Sequence, residues 1–305
     1  MGRADYDLYQ RIFFQSPQEI RNGVNAVLLQ MDPQTDFSPL NQAVDDCIRL
    51  FKGQYPGYRA CRTLYHDISH TLSVYLAACR LIHGAHLTGR TMAAEMRIFT
   101  LINALFHDAG LIQTADDTEG TGAKYSTGHE VRSIRFTKLY LSANKIFLER
   151  LGDSAHIIGS TIVRLPTGEI AYRDEDTRLA GYILGTADLL AQMADRLYLE
   201  KLLYLYREFK EAGLSEFHSE LDLLKKTEAF YREVSKQRLR EELGDVRIWM
   251  KEHFAHQMGV RKDFYEESIE KNIVYLRKIL LKHEHEYRQM LRRAGIVDNL
   301  KNGPE

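Results

Sequence analysis

Apolar residues recur three and four positions apart along almost the whole chain, and no sustained two-residue alternation interrupts them. That pattern predicts helices throughout and no sheet. Segments 17–31 and 39–52 read as amphipathic helices, and 67–83 carries Leu72, Tyr75, Leu76 and Cys79 on one side. Segment 92–108 differs: Ile98, Phe99, Leu101, Ile102, Leu105 and Phe106 wrap around it, which predicts a central buried helix. Segments 129–142, 144–164 and 175–197 continue the helical period. Beyond residue 200, segments 217–256 and 264–293 are long and heavily charged, with Lys, Arg and Glu four residues apart, the pattern of solvated helix faces. The expectation is an all-α protein with a main helical domain over 56–212. A helical extension precedes it over 1–55, and a helical layer over 213–305, a candidate homo-oligomer interface, packs on it.

Two stretches break the helical pattern. Residues 165–174 hold Pro166 and Gly168, a turn signal. Residues 110–128, rich in Gly and in small polar and acidic side chains, form a connection longer than compact domains usually carry, and such loops often act as lids.

Composition narrows the function classes. Lys plus Arg total 41 and Asp plus Glu 42, a net charge of −1, which argues against bulk nucleic-acid binding. The balance leaves room for a small charged ligand in a local pocket. The three cysteines, Cys47, Cys61 and Cys79, form no CxxC pair, so neither a disulfide framework nor a thiolate metal site is expected. The sequence shows no leader pattern at its start and no apolar run of about 18 residues, so the expected location is the cytoplasm, without a membrane span.

The chemistry gathers around histidine and aspartate. His66 and His70 stand four apart, on one face of a helix. His107 and Asp108 close the apolar segment 92–108, a costly place for ionisable groups unless they share a partner such as a divalent cation. Asp188 lies inside another apolar stretch, with Gln192 and Asp195 further along the same face. His129 opens the segment after the long loop, and His156 follows later. Other histidines are set aside. His129-Glu130 does not continue to HExxH, because Ser133 holds the second position. His83 and His86 are explained by a helix C-terminus. His253 and His256 share a face without an acidic neighbour, and His283 and His285 are two apart, so their rings diverge.

The series H…HD…D resembles the HD superfamily of metal-dependent phosphohydrolases. Tyr65-His66-Asp67-x-x-His70, Phe106-His107-Asp108 and Ala187-Asp188-Leu189 are similar to the YHNxxH, HD and ADL elements of class I cyclic-nucleotide phosphodiesterases. Three positions depart from that pattern: Asp67 replaces the Asn, Leu111 a second-metal His, and Ser73 an acidic residue. The resemblance implies an HD-type helical bundle over 56–212 in which His70, His107, Asp108 and Asp188 ligate a divalent metal. It implies His66 as the acid that protonates the leaving oxygen. His129 and His156 fall in the order of the fifth and sixth ligands of binuclear HD proteins, with Asp108 as the bridge. Manganese, iron, zinc, nickel, cobalt or magnesium fit the oxygen and nitrogen donors. Lys124 and Arg132 are candidate phosphate contacts and Gln192 a candidate substrate contact. The resulting expectation is a phosphodiesterase acting on a cyclic or other small nucleotide. The competing readings are a non-catalytic HD-fold binding or assembly protein and an HD-type di-iron oxygenase.

Overall fold

The computed structural model describes residues 16–302. The start of the chain, on which the absence of a leader was read, lies outside them, as do the side chains of His283 and Glu284. Among the described residues there are thirteen α-helices and no strand, so the chain is all-α.

Three helices form the centre: α3 (Ile68–Leu87), α4 (Ala94–Phe106) and α7 (Glu175–Ala194), each packed on the other two. Helix α4 is buried from Met96 through Phe106 without a break, as its all-round apolar pattern predicts. Helix α3 is nearly as enclosed, with every residue from Leu76 to Ala85 buried. Asp67 starts it by accepting the backbone N–H of His70 at 2.8 Å, and Asp174 starts α7 in the same way through Thr177. An Asp therefore does at position 67 the capping work that an Asn would do.

The remaining helices cover this centre. Helix α1 (Pro17–Met31), opened by a Ser16–Glu19 capping box, lays Ile20, Val24 and Leu28 on α3. Helix α2 (Ser38–Phe51) lies on α4. Helices α5 (His129–Ala143) and α6 (Asp153–Gly159) pack on each other, and α6 also touches α4 and α7. Helix α8 (Tyr198–Glu211) follows α7. Then come α9 (Glu220–Glu233), α10 (Trp249–Met258) and α11 (Phe264–His283), of which α10 lies along α3 and α11 along α7. Two short helices, α12 (Tyr287–Met290) and α13 (Ile296–Asn302), end the described chain. One continuous apolar core runs from Ile20 to Leu300, so the terminal helices share the core of the centre.

Two predicted helices are cut short. In 144–164 only Asp153–Gly159 is α-helical. Lys145 and Phe147 take positive φ values of 55° and 50°, and the Phe147 ring sits 5.3 Å from that of Phe99. Core packing of one aromatic ring thus overrides the local helical preference. In 217–256 the helix widens into a π-helical stretch over Val234–Glu242 and breaks at Gly244 and Asp245, both left-handed. Arg238, read as part of a solvated face, is buried there and donates to the carbonyls of Ser160, Ile162 and Leu165, closing the end of α6.

Candidate metal centre

The floor of the site is set by three buried side chains on two central elements. His70 comes from the first turn of α3, and His107 and Asp108 follow the last turn of α4. His70 Nε2 lies 3.3 Å from Asp108 Oδ2, and His107 Nε2 lies 3.2 Å from the same oxygen. Asp188, on α7, brings Oδ1 to 3.2 Å from His70 Nε2 and 3.7 Å from His107 Nε2. From the other side, His129 at the start of α5 places Nε2 3.3 Å from Asp108 Oδ1. Asp108 thus stands between two sets of imidazoles, one on each oxygen.

Several features fit a cation here. His107 Nε2 and Asp108 Oδ2 are fully buried, and neither has a hydrogen-bond partner among the described residues despite their 3.2 Å separation. An orphaned buried nitrogen beside an orphaned buried carboxylate oxygen is costly unless something binds both. The ring orientations agree. His107 Nδ1 is 2.8 Å from the Ala104 carbonyl and His129 Nδ1 is 3.0 Å from the Ser126 carbonyl. A carbonyl only accepts, so both rings carry their proton on Nδ1 and can turn an Nε2 lone pair toward Asp108, the arrangement usual behind metal-ligating histidines. The His70–His107–Asp108 group can hold a metal ion.

Electrostatics point the same way. Burial alone would push these imidazoles toward neutrality, but the carboxylates of Asp108 and Asp188 outweigh it and raise His70 to about 9. Asp108 and the neighbouring Glu130 likewise outweigh burial at His129 and raise it to about 9, and His107 also rises well above its ordinary value. Burial would raise Asp108 and Asp188, but the surrounding imidazoles hold both below the ordinary carboxylate range. Such a pocket requires positive charge, supplied either by protons or by a bound cation.

Above the floor stands His66. Its ring centroid is 5.9 Å from that of His70 and 6.0 Å from that of His129. The side chain of His66 is 18% exposed, like His129 at 16% and Asp188 at 15% and against 1% for His107, so it shares the more open side of the cluster with them. Its Nδ1 is 2.7 Å from Oε2 of Glu208, a buried residue of α8. The other Glu208 oxygen accepts the backbone N–H groups of Leu64 and Tyr65, at 2.8 and 2.7 Å. Glu208 is not among the sequence candidates, because nothing in its own segment signals a partner.

The remaining candidates are placed as follows. Gln192 accepts the Tyr65 hydroxyl at 2.8 Å and lines a small cleft beside His70, together with Asp195 and Lys201. Lys124 is paired with Asp117 at 2.5 Å. Arg132 donates to the carbonyls of Gly110 and Ile112 and lies 3.6 Å above the Tyr125 ring. Both cations therefore tie down the long loop 110–128. Thr121 and Glu211, joined by two hydrogen bonds, also pin that loop to α8. His156 lies on α6 against Tyr172, at a ring separation of 6.2 Å. Its Nδ1 is buried without a partner, and no hydrogen bond or ion pair joins it to the cluster among the described residues.

A family model described as Npun_R2479-like matches residues 57–256, more than half of the chain. The chain belongs to the Npun_R2479-like family. The Npun_R2479-like segment begins just before the turn that carries His66 and ends within α10, so it spans every residue of the cluster. No curated protein and no solved structure matches the chain. Among the described residues no helix is long and apolar enough to cross a membrane.

Proposed function

We propose that the cluster is the metal centre of an HD-type phosphohydrolase that cleaves a phosphodiester of a cyclic or other small nucleotide. In this reading His70, His107, Asp108 and Asp188 hold one divalent cation. Asp108 Oδ1 and His129 hold a second. A bound divalent cation would neutralise phosphate oxygens and lower the pKa of a coordinated water.

The chain's own groups supply the rest. Asp108 and Asp188 bring negative charge to the floor, and the Nδ1–H groups of His107 and His129, held by backbone carbonyls, keep those rings from rotating. His66 stands on the open side, where a leaving oxygen would depart. With Nδ1 bound to Glu208, its Nε2 is the nitrogen that can hand over a proton.

The observation that carries the hydrolase reading is the Glu208–His66 pair poised over the cluster. A proton donor over the cluster assists departure of a poor leaving group in phosphoester cleavage, and a binding scaffold has no use for one there. The experiment is metal analysis of the purified chain together with turnover of cyclic nucleotides and of bis(p-nitrophenyl) phosphate in Mn²⁺. Metal-dependent hydrolysis that disappears in Asp108→Ala supports the reading. A metal-loaded protein that hydrolyses none of these esters overturns it.

A further inference from the structure

A second charged side chain of α8 reaches the edge of the cluster. Lys201 precedes Glu208 on that helix and is buried. Its Nζ is 2.9 Å from Oδ2 of Asp195 and 3.9 Å from Oδ1 of Asp67. It lines the same cleft as His70, Gln192 and Asp195.

Both carboxylates stand at helix ends that bear on the cluster. Asp195 is the C-terminal cap of α7, the helix that carries Asp188. Its Oδ1 accepts the backbone N–H of Leu197 at 2.8 Å, so it also shapes the turn into α8. Asp67 is the N-terminal cap of α3, the helix that carries His70. The Asp67 oxygen that faces Lys201 is the one that accepts the His70 N–H. One ammonium therefore spans the end of the Asp188 helix and the start of the His70 helix. Asp188 and His70 are the residues that come within 3.2 Å of each other at the floor of the site. From α11, Asn272 donates to the carbonyls of Met193 and Asp195, at 2.9 and 2.8 Å. The end of α7 is thus anchored, and Lys201 ties the start of α3 to a fixed point.

We propose that Lys201 is a positioning residue of the metal centre: by joining the Asp67 cap of α3 to the Asp195 cap of α7, it sets the spacing of His70 and Asp188 for a divalent cation. The inference rests on the metal-centre part of the hydrolase reading and on none of its chemistry.

The energetics favour a role in geometry over one in stability. Burying an ammonium costs much of what its ion pairs return. An apolar side chain of similar length would fill the same space without that cost, but it could not join the two caps. The dipole of α7 opposes an anion at its C-terminal end, so Asp195 gains from a cation beside it. Burial would move Lys201 toward its neutral form, but Asp195 and Asp67 outweigh burial and raise its pKa, so the ammonium stays charged. Groups that orient metal ligands from behind change metal affinity by about 10–100-fold when they are removed.

The test titrates Mn²⁺ alone calorimetrically into the full chain, as wild type, Lys201→Met, Lys201→Arg and Asp195→Asn. Each is also made in the His129→Ala background, so that the ion assigned to His70, His107, Asp108 and Asp188 is read by itself. Lys201→Met keeps the length of the side chain and loses its charge; Asp195→Asn keeps an acceptor for Leu197 and breaks the tie from the other end. Both should weaken that ion by at least about tenfold while the metal-free chain still melts cooperatively. Lys201→Arg, which keeps the charge, should recover most of the affinity. Equal Mn²⁺ affinity in wild type and Lys201→Met would overturn the proposal and leave the metal centre standing. A loss that Lys201→Arg fails to recover would reduce Lys201 to a packing role and overturn it too. A wild-type chain that binds no Mn²⁺ would overturn the metal centre itself, and this proposal with it.

Discussion

Glu208 joins His66 to the backbone it stands on: Oε2 is 2.7 Å from His66 Nδ1, and Oε1 accepts the N–H groups of Leu64 and Tyr65. One carboxylate thus fixes both the turn before α3 and the ring that leans over the cluster. In the hydrolase reading Glu208 is a positioning residue that also gives a protonated His66 its counter-charge.

Glu208→Gln keeps an acceptor for the backbone but loses that charge. Turnover of esters with poor leaving groups should fall about 10–100-fold, while activated esters are barely affected and metal content is unchanged. His66→Ala should show the same dependence on leaving group more strongly. A uniform slowing across all esters would assign Glu208 a purely structural role.

His107→Ala and Asp108→Ala should each release the metal of the first centre and abolish its activity. Each variant removes one of the two buried atoms that lack a partner without the cation, so thermal stability should change less than metal content does. Elemental analysis beside thermal denaturation separates the two effects. Either variant retaining full metal and full turnover would remove the cluster from the mechanism.

The metal-free protein should lose stability toward alkaline pH. His70 and His129 are raised from 6.5 to about 9, so their contribution is complete below about 6.5 and is lost as pH rises through about 9. Asp108 and Asp188 are lowered, so theirs is present above their ordinary 3.8 and is lost as pH falls below it. Stability from the cluster should therefore peak between roughly pH 4 and 6.5 after chelation. Metal-loaded protein should keep its melting temperature up to pH 9, since the cation replaces the protons. Identical pH profiles with and without chelator would contradict this.

Gly110 follows Asp108 by two residues and meets α5 with no room for a side chain: a Cβ there would lie 1.9 Å from the His129 carbonyl oxygen. Gly110→Ala should push α5 away, cost about 1–3 kcal/mol in stability and loosen His129 from Asp108. If two ions bind, the one held by His129 should be lost first. Equilibrium unfolding and metal counting on the same variant read both effects, and an unchanged His129 ion would argue against a ligand role for that residue.

The residue pattern by itself determined the all-α class, the buried character of α4 and the donors at the centre of the cluster. Those features are local: helical period, an apolar run that ends in His107-Asp108, and short motifs around His70 and Asp188. Only the tertiary structure decided the rest. Glu208 meets His66 across 142 residues, from a helix whose own sequence carries no site signal. His83 meets His253 across 170 residues, because Gly84 lets α10 settle on the α3 backbone. Arg238, Lys124 and Arg132 look alike as surface cations in the sequence, yet the fold uses them to close a helix end and to hold the long loop. Charge and spacing report which face a residue occupies on its own helix; which partner fills that face depends on how helices distant in sequence pack together.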